Sequence, residues 1–327
     1  MRFTGLAISR SAPLESYTRT SGVNHLSNGV AHVEVDPHRG ASILHFGATS
    51  QPADNLLARY QWESPLPQAT GYGSSQQDWL SGYRGGWQLL TPNAGAESSV
   101  AGVSHPFHGE VSTASWQVVE HTALYLSMRT ATRGPLIVTR TVELHPDRPR
   151  LTARTILSNP TSVDAQAILV EHIALANDDN ALVRAPATSE WEFDPATPEY
   201  DGTRTVWEHS PLRMSVGVGQ WRVASLVDGS EGWIELRRGS RHVRVTWDPQ
   251  QLPYLWYWQE RGTAQFPFFG RADITGLEPA SAKFSDGLAA AIARNEAWTI
   301  GAGQELTVSV AIELLAGQSH PVEYANL

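Results

Sequence analysis

Short runs in which hydrophobic and polar residues alternate dominate the chain, and Gly, Pro, Asn and Asp residues separate them. Alternation with a period of two is typical of a β-strand that buries one face. Several runs follow each other closely, with turn sequences such as HPDRPR and RRGSR between them. The runs are VAHVEV, ASILHF, TALYLSM, PLIVTRTVEL, RLTARTILS, AQAILVEHIAL, GWIELRR, RHVRVTW and ELTVSVAIELL. The pattern predicts hairpins of an antiparallel all-β fold.

Helical patterns are few. The best is the alanine-rich GLAAAIARNEA at residues 287–297, for which Ser285 or Asp286 is the expected N-cap. The longest irregular segment is the Gly-, Ser- and Pro-rich stretch at 61–81, which is either a lid or binding loop or a plain surface excursion. No Pro/Ser-rich linker divides the chain. We therefore expect one large β-sandwich domain over 1–327, with residues 1–29 as an N-terminal extension or an edge strand.

Composition supports a globular fold with a substantial core, because hydrophobic residues make up 41% of the 327 residues and charged residues 17%. The net charge is -9, and the basic residues, Lys283 apart, are scattered arginines, which argues against nucleic acid or an anionic membrane as a partner. The absence of cysteine excludes disulfides and thiolate metal sites. The sequence MRFTGLAISR has no apolar segment of the signal-peptide kind, and no apolar run is long enough to span a membrane. We expect a cytoplasmic, soluble monomer or homodimer whose partner is a small molecule that is uncharged or is bound through a few specific arginines.

Three segments combine irregular backbone with residues suited to acid/base chemistry. They are the glycine-rich stretch 82–116, the strand-like ILVEHIALANDDN, and the stretch LPYLWYWQERGTAQFPFFGRADITGLEP at 252–279. Their candidate residues are Arg84, Asn93, His105, His108, Glu171, His172 and Glu278.

Each candidate also has an ordinary structural interpretation. A histidine on a strand is commonly a hydrogen-bonded structural residue, and a glutamate before proline can simply end a strand. A metal site is disfavoured because His105 and His108 are three residues apart, so on a strand they would point to opposite faces. The local pattern alone indicates an all-β protein that could bind carbohydrate.

The aromatic run within LPYLWYW is explained by strand geometry. On a strand, Tyr254, Trp256 and Trp258 share one face, while Leu255 and Tyr257 share the other. A row of rings can stack on the apolar C–H faces of a sugar or fill a sandwich core. We expect core packing for at least two of the rings and sugar contact for Trp258.

The ordered motifs RGGWQLLTPNAG and HPFHGEVSTASW resemble a segment of the galactose mutarotase-like proteins, the aldose 1-epimerases and their hexose-phosphate mutarotase relatives. LVEHIAL is similar to the strand that carries the central histidine of this family, and GLEP resembles the strand end that carries its catalytic glutamate. The resemblance spans about 30–315. It implies a large antiparallel β-sandwich and an isomerase that needs no cofactor and no metal. The sugar, and whether it carries a phosphate or sulfonate group, is left open.

The resemblance also implies residue roles. Anomer interconversion removes a proton from the C1 hydroxyl while the ring oxygen gains one, so a base and an acid must flank the sugar. Glu278 would be the base at O1 and His172 the acid at O5, and their ordinary pKa values suit these roles at neutral pH. Arg84, Asn93 and His108 would bind and orient the sugar, with Trp258 stacking against it.

Three functional hypotheses follow. The first is an aldose 1-epimerase-like enzyme with His172 and Glu278 on opposite edges of one pyranose-sized cleft. The second is a sandwich of the same fold that binds carbohydrate without catalysis. The third is a metal-dependent β-barrel enzyme that uses His105, His108 and His172.

Overall fold

The structure is a computed structural model that describes residues 22–50, 55–60, 71, 73–177, 181–198, 200–202, 204–206, 216–228, 231–239 and 241–315. Residues 1–21 of the predicted N-terminal extension, and residues 61–70 and 72 of the predicted irregular segment, lie outside these ranges. Within the region 1–29 the structure describes one strand, Asn24–Ser27. The extent of the domain over 1–327 stays a prediction.

The described residues form 22 strands and two α-helices. The strands in chain order are β1 (Asn24–Ser27), β2 (Ala31–Asp36), β3 (Ser42–Ala48), β4 (Gly86–Leu90), β5 (Ser98–Val100), β6 (Val103–His105), β7 (Gln117–His121), β8 (Tyr125–Ala131), β9 (Ile137–Leu144), β10 (Arg150–Ser158), β11 (Ala165–Ala167), β12 (Val170–Ala176), β13 (Leu182–Arg184), β14 (Glu190–Phe193), β15 (Arg204–Val206), β16 (Gln220–Asp228), β17 (Trp233–Arg238), β18 (Arg241–Trp247), β19 (Tyr254–Arg261), β20 (Asp273–Ala280), β21 (Trp298–Ile300) and β22 (Glu305–Leu315). The helices are α1 (Ser75–Gly82) and α2 (Leu288–Ala293).

Two large antiparallel sheets contain most of the strands. One has ten strands in the order β1-β2-β3-β4-β12-β20-β19-β16-β14-β15, and the other has eight in the order β13-β17-β18-β22-β10-β9-β8-β7. Two two-stranded sheets, β11-β21 and β5-β6, complete the described strands. The predicted all-β sandwich is confirmed.

Alternation in the sequence becomes alternation in burial. In β10 every second residue from Leu151 to Leu157 is buried, and the strand has the bounds that the run RLTARTILS predicts. The runs RHVRVTW and ELTVSVAIELL coincide in the same way with β18 and β22. AQAILVEHIAL is interrupted, because β11 and β12 belong to different sheets and the chain changes sheets between Ala167 and Val170.

The helices differ from their predictions. The helix expected at 287–297 is present as the shorter α2, but its N-cap is Gly287, which offers no side-chain hydrogen bond, so the predicted cap at Ser285 or Asp286 is wrong. Helix α1 lies where only irregular structure was expected. Its N-cap Ser74 accepts a hydrogen bond from the backbone of Gln77, and Asp78 lies in its first turn, where the helix dipole favours negative charge. No helix in the described ranges combines the length and the apolar character that a membrane crossing requires.

A buried ion pair joins the two sheets. Arg140 on β9 contacts Glu171 on β12 through two nitrogen–oxygen distances of 3.0 and 2.9 Å, and Trp87 Nε1 donates to the same carboxylate at 2.6 Å. Arg140 and Glu171 are 0% and 1% exposed. Glu171, one of the sequence candidates, is therefore enclosed within the sandwich core and is not part of a cleft.

A second apolar cluster lies on the opposite face of the ten-stranded sheet, under α1, α2 and their loops. It contains Trp79, Tyr83, Trp256 and Phe268, and Tyr254 and Trp258 pack against it. Leu255 and Tyr257 lie in the core between the sheets. The predicted division of the aromatic run between two faces is confirmed.

Candidate functional site

A row of side chains crosses the middle of the ten-stranded sheet on the face away from the sandwich core. Gln88 on β4 pairs with His172 on β12, and Glu278 on β20 pairs with Trp256 on β19. The register of β12 with β20, fixed by Val170 opposite Ala280, places His172 opposite Glu278. Side chains directly opposite on adjacent antiparallel strands have Cβ atoms about 4.5–5.5 Å apart. Sheet register alone thus brings together two residues that are far apart in sequence.

A cavity of about 310 Å³ opens above this row. That volume lies at the lower end of the roughly 300–1,000 Å³ that small-molecule sites have. His172, Glu278, His108 and Trp258 are among its lining residues, so four of the six predicted site residues meet there. A second cavity of about 330 Å³ shares Trp221, Thr263 and Gln265 with the first. The two cavities are therefore neighbours.

His172 and Glu278 lie side by side, with His172 Nε2 3.6 Å from Glu278 Oε1 and side chains that are 5% and 4% exposed. The distance is longer than a hydrogen bond. Burial raises the pKa of Glu278 well above its usual range, and the nearby carboxylate of Asp194 adds to the shift. Burial lowers the pKa of His172 to about 4. Both directions favour neutral side chains, whereas ordinary pKa values led us to expect an ionised Glu278. The two groups are neighbours and do not lie on opposite edges of a cleft, as had been expected.

Aromatic rings enclose the His172 imidazole. The ring centroids of Trp79, Tyr83, His108 and Trp258 lie 5.9, 5.8, 5.8 and 5.6 Å from its own. His172 Nδ1 is buried and meets no acceptor in hydrogen-bonding geometry, and only its own backbone carbonyl is near enough to favour the charged form slightly. An imidazolium here would have a buried N–H without a good acceptor, which is consistent with the lowered pKa.

The glycine two residues before Glu278 makes room for its carboxyl group. Gly276 and Glu278 are on the same face of β20, and a Cβ atom on Gly276 would lie 2.5 Å from Glu278 Oε1 and 3.1 Å from Trp258 Cβ. Any side chain at position 276 would therefore displace Glu278 or Trp258.

His108 is held by the loop that precedes it. The backbone N–H of Gly95 donates to His108 Nδ1 at 3.0 Å, so the proton of neutral His108 is on Nε2 and is available as a donor. Burial and the neighbouring His172 lower the pKa of His108 well below its usual range. Gly109 follows with φ of 71°, and a Cβ atom there would lie 2.4 Å from the Thr91 carbonyl oxygen, which explains the glycine of the HG motif.

Asn93 acts on this loop and does not line the cavity. Its Nδ2 donates to the carbonyls of Ala96 and Pro106, both at 2.9 Å, and its Oδ1 accepts from the backbone of Leu288 at 2.7 Å. The side chain is 0% exposed. The structure thus gives Asn93 a positioning role for the His108 loop instead of the expected contact with the sugar.

Three arginines of the candidate segments, Arg84, Arg261 and Arg271, are also outside the cavity. Arg84 Nη2 contacts Asp36 Oδ2 at 2.8 Å, and Arg84 is not among the lining residues, so the structure does not place it where it was expected to bind sugar. Arg261 lies 3.7 Å from the Asp273 carboxylate, and Arg271 donates to backbone carbonyls of its own loop. Among the described lining residues, none carries a permanent positive charge.

The histidines proposed for a metal centre do not converge. His105 Nδ1 lies 3.3 Å from Glu110 Oε2, and His105 does not line the cavity that contains His108 and His172. Within the described ranges, one group of residues has a spacing that could hold a metal ion, and it consists of His25, His32 and Glu34.

Several lining residues were not identified from the sequence. Trp79 comes from the unpredicted helix α1, while Phe107 and Glu260 lie inside segments already singled out and Trp221 is opposite Glu260 in the sheet. The N-cap Ser74, with Asp78 in the first turn, was the signal that could have located α1 and hence Trp79. Phe107 precedes His108 directly, but nothing in the sequence distinguishes it from a core residue.

A sequence profile described as a domain of unknown function, DUF4432, matches residues 19–314. The chain belongs to the DUF4432 family. A search of curated proteins found no significant match.

Solved structures similar to this DUF4432 chain show its fold. The Slr1438 protein from Synechocystis sp. PCC 6803 superposes with a TM-score of 0.67 at 14% identity, covering 96% of this chain and 100% of that one. The galactose mutarotase related enzyme from Lactobacillus acidophilus has a TM-score of 0.65 at 14% identity, with 91% and 99% coverage. A galactose mutarotase-like protein from Clostridium acetobutylicum has a TM-score of 0.59 at 12% identity, with 89% and 94% coverage. The chain therefore has the galactose mutarotase-like fold, which is the fold that the resemblance in the motifs implies.

Proposed function

We propose that this protein is an aldose 1-epimerase-like isomerase that interconverts the anomers of an uncharged sugar. The observation that carries the proposal is the His172–Glu278 pair, 3.6 Å apart on adjacent central strands, at the base of a cavity lined by aromatic rings. Trp258 offers a stacking face and His108 an N–H donor, which are the two kinds of contact that a sugar ring and its hydroxyls need. The galactose mutarotase-like fold supports the same reaction class by analogy.

The charge of the cavity supports an uncharged substrate. Phosphate and sulfonate groups are bound in proteins by arginine or lysine side chains or by helix N-termini. Within the described part of the lining there is no arginine or lysine side chain, and Gln76 in the first turn of α1 is the one contribution from a helix N-terminus. A free or neutral modified hexose fits this surface better than a sugar phosphate.

The pKa directions favour proton transfers with the roles of base and acid exchanged relative to those expected from ordinary pKa values. Neutral His172 accepts the proton of the C1 hydroxyl through Nε2. As that O–H bond breaks, C1 and O1 form a carbonyl, the C1–O5 bond breaks, and O5 takes the proton of neutral Glu278. The open-chain sugar then faces an imidazolium and a carboxylate that attract each other. Rotation about the C1–C2 bond and reversal of the transfers give the other anomer and restore the neutral pair.

Side-by-side placement of the two groups suits this reaction. O1 and O5 are both bonded to C1, so the base and the acid must reach two neighbouring oxygens and need not lie across the ring from each other. Each positioned group is expected to contribute about 10²- to 10⁴-fold to the rate.

NMR exchange spectroscopy on a panel of uncharged aldoses tests the proposal. We expect faster anomer exchange for at least one sugar, a loss of about 10²- to 10⁴-fold in Glu278→Gln and in His172→Gln, and full activity in the surface control Val163→Thr, whose side chain is 62% exposed. Equal rates in the parent and both site variants would remove the catalytic assignment.

The second candidate is a carbohydrate-binding protein without catalysis. It is favoured by the placement of Arg84 and Asn93, two residues expected to orient the sugar, outside the cavity. Tryptophan fluorescence titration distinguishes the two functions, because Trp79, Trp221, Trp256 and Trp258 line the cavity. Binding that persists in Glu278→Gln, together with no exchange by the parent protein, would establish the second function.

A further inference from the structure

Three histidines and a glutamate meet on the first three strands of the ten-stranded sheet, away from the cavity. The register pairs His25 on β1 with Glu34 on β2, and Glu34 with His45 on β3. His32 precedes Glu34 by two residues, so both point to the same face. Val33, which lies between His32 and Glu34, and Phe46, which follows His45, are both in the sandwich core. The four polar side chains therefore lie on the face opposite that core.

The distances within this cluster match those of metal ligands. The ligand atoms of His25, His32 and Glu34 all lie within 4.8 Å of one another. His25 Nδ1 and His32 Nε2 are 3.3 Å apart. Two nitrogens that each bind a tetrahedral zinc ion at about 2.0–2.1 Å are separated by roughly 3.3–3.4 Å. A donor set of two imidazoles and a carboxylate is one that zinc and similar divalent ions accept.

A hydrogen-bonded interpretation of the cluster leaves one group unexplained. In that interpretation, His25 and His32 form a single N–H···N hydrogen bond, and Glu34 Oε2 accepts from Arg59 at 2.7 Å. The His45 ring lies 5.0 Å from that of His32, and its Nε2 is buried without a hydrogen-bond partner in the described structure. A buried polar atom without a partner is costly and is usually explained by an ion or water.

We infer that His25, His32 and Glu34 bind a divalent transition-metal ion of the zinc type. Three protein ligands leave a fourth position for water, which is the natural hydrogen-bond partner for the buried Nε2 of His45. Glu34 would bind through Oε1, since Oε2 accepts from Arg59. Arg59 would then orient the carboxylate through its hydrogen bond to Oε2.

The position in the fold indicates what such an ion does. β1 is the edge strand of the sheet, and the ion joins it to β2. β12, which carries His172, is three strands away from β2. At about 4.8 Å per strand this is a lateral distance of roughly 14 Å. The ion therefore stabilises the pairing of the edge strand β1 with β2 and takes no part in chemistry at the cavity.

Calorimetric titration of the tag-free, EDTA-treated protein with Zn²⁺ tests the inference, with the visible spectrum of bound Co²⁺ as a report on nitrogen and oxygen coordination. We expect one equivalent to bind. His25→Ala and His32→Ala should each weaken binding by more than the roughly 10- to 100-fold that is lost when a residue that only orients a ligand is removed. The control His38→Ala, at an exposed histidine outside the cluster, should bind as the parent does.

His25 is exposed, so His25→Ala leaves the fold intact and keeps the test valid even where His32→Ala does not fold. Zn²⁺ should raise the Tm of the parent and of His38→Ala but not of His25→Ala, because a ligand that binds only the folded state stabilises it. Lack of stoichiometric binding, or unchanged affinity in His25→Ala, would overturn the inference. Sugar turnover that stops on EDTA treatment would overturn the structural role of the ion. Metal binding does not depend on the proposed isomerase activity, so either proposal can fail alone.

Discussion

Replacement of His172 by glutamine tests whether the buried pair is neutral. The folded protein holds the pKa of His172 at about 4 against 6.5 for an ordinary histidine, mainly because burial penalises the imidazolium. Between these two pH values the unfolded chain binds more protons than the folded chain, so stability falls as the pH falls from about 6.5 to about 4. At about 1.36 kcal/mol per pKa unit, the titration of His172 alone lowers the free energy of unfolding by about 3 kcal/mol as the pH falls from about 6.5 to about 4.

The comparison between parent and variant isolates this contribution, since other groups titrate in both proteins. Denaturant unfolding at a series of pH values from 7 to 4 should show the parent losing about 3 kcal/mol more stability than His172→Gln. The same comparison in a Glu278→Gln background is the matched control. Because Glu278 is expected to be protonated throughout this range, the result should not change.

A different outcome would refute the neutral pair. If Glu278 were ionised in this window, its carboxylate 3.6 Å from His172 would stabilise the imidazolium. The parent and His172→Gln would then lose stability in parallel, or the parent would lose less, and the difference would depend on Glu278. Such a result would restore the assignment of Glu278 as the base and His172 as the acid.

Two further predictions concern the framework of the site. Arg140→Met should destabilise the protein by about 3–5 kcal/mol in urea unfolding, because it leaves Glu171 buried without its partner, and a loss below about 1 kcal/mol would mean that the pair is not needed. Asn93→Ala should cost about 1–3 kcal/mol through the unpaired backbone of Leu288. It should also reduce sugar turnover by loosening the loop that holds His108, and unchanged turnover would contradict the positioning role.

Strand positions were predictable where one face of a strand is buried and the other is not. β10, β18 and β22 have this character, and each begins and ends at the same residues as its alternating run in the sequence. Patterns of this kind could not show that AQAILVEHIAL contributes to two sheets. Both parts of that run are apolar, and only long-range pairing with β21 and β20 separates them.

The site was predictable in part, for reasons that differ between its residues. His172 and Glu278 lie within recognisable motifs on central strands, so motif order identified them as candidates. Arg84 and Asn93 belong to equally recognisable motifs, but their partners Asp36 and Leu288 are distant in sequence and decide what the side chains do. The pKa directions depend on burial, which the sequence alone cannot supply for any single group.

The adjacent residues Glu171 and His172 show how one strand serves both stability and function. Successive side chains on a strand point to opposite faces, so two adjacent polar residues in an apolar strand must place one side chain on each face. Glu171 faces the core between the sheets and is neutralised there by Arg140 from the other sheet. The Arg140–Glu171 ion pair fixes the position of β12 relative to β9, and so it fixes the position of His172 in the cavity. A carboxylate and an imidazole in sequence, each buried on its own face, therefore mark a strand whose core side is anchored and whose outer side is available for chemistry.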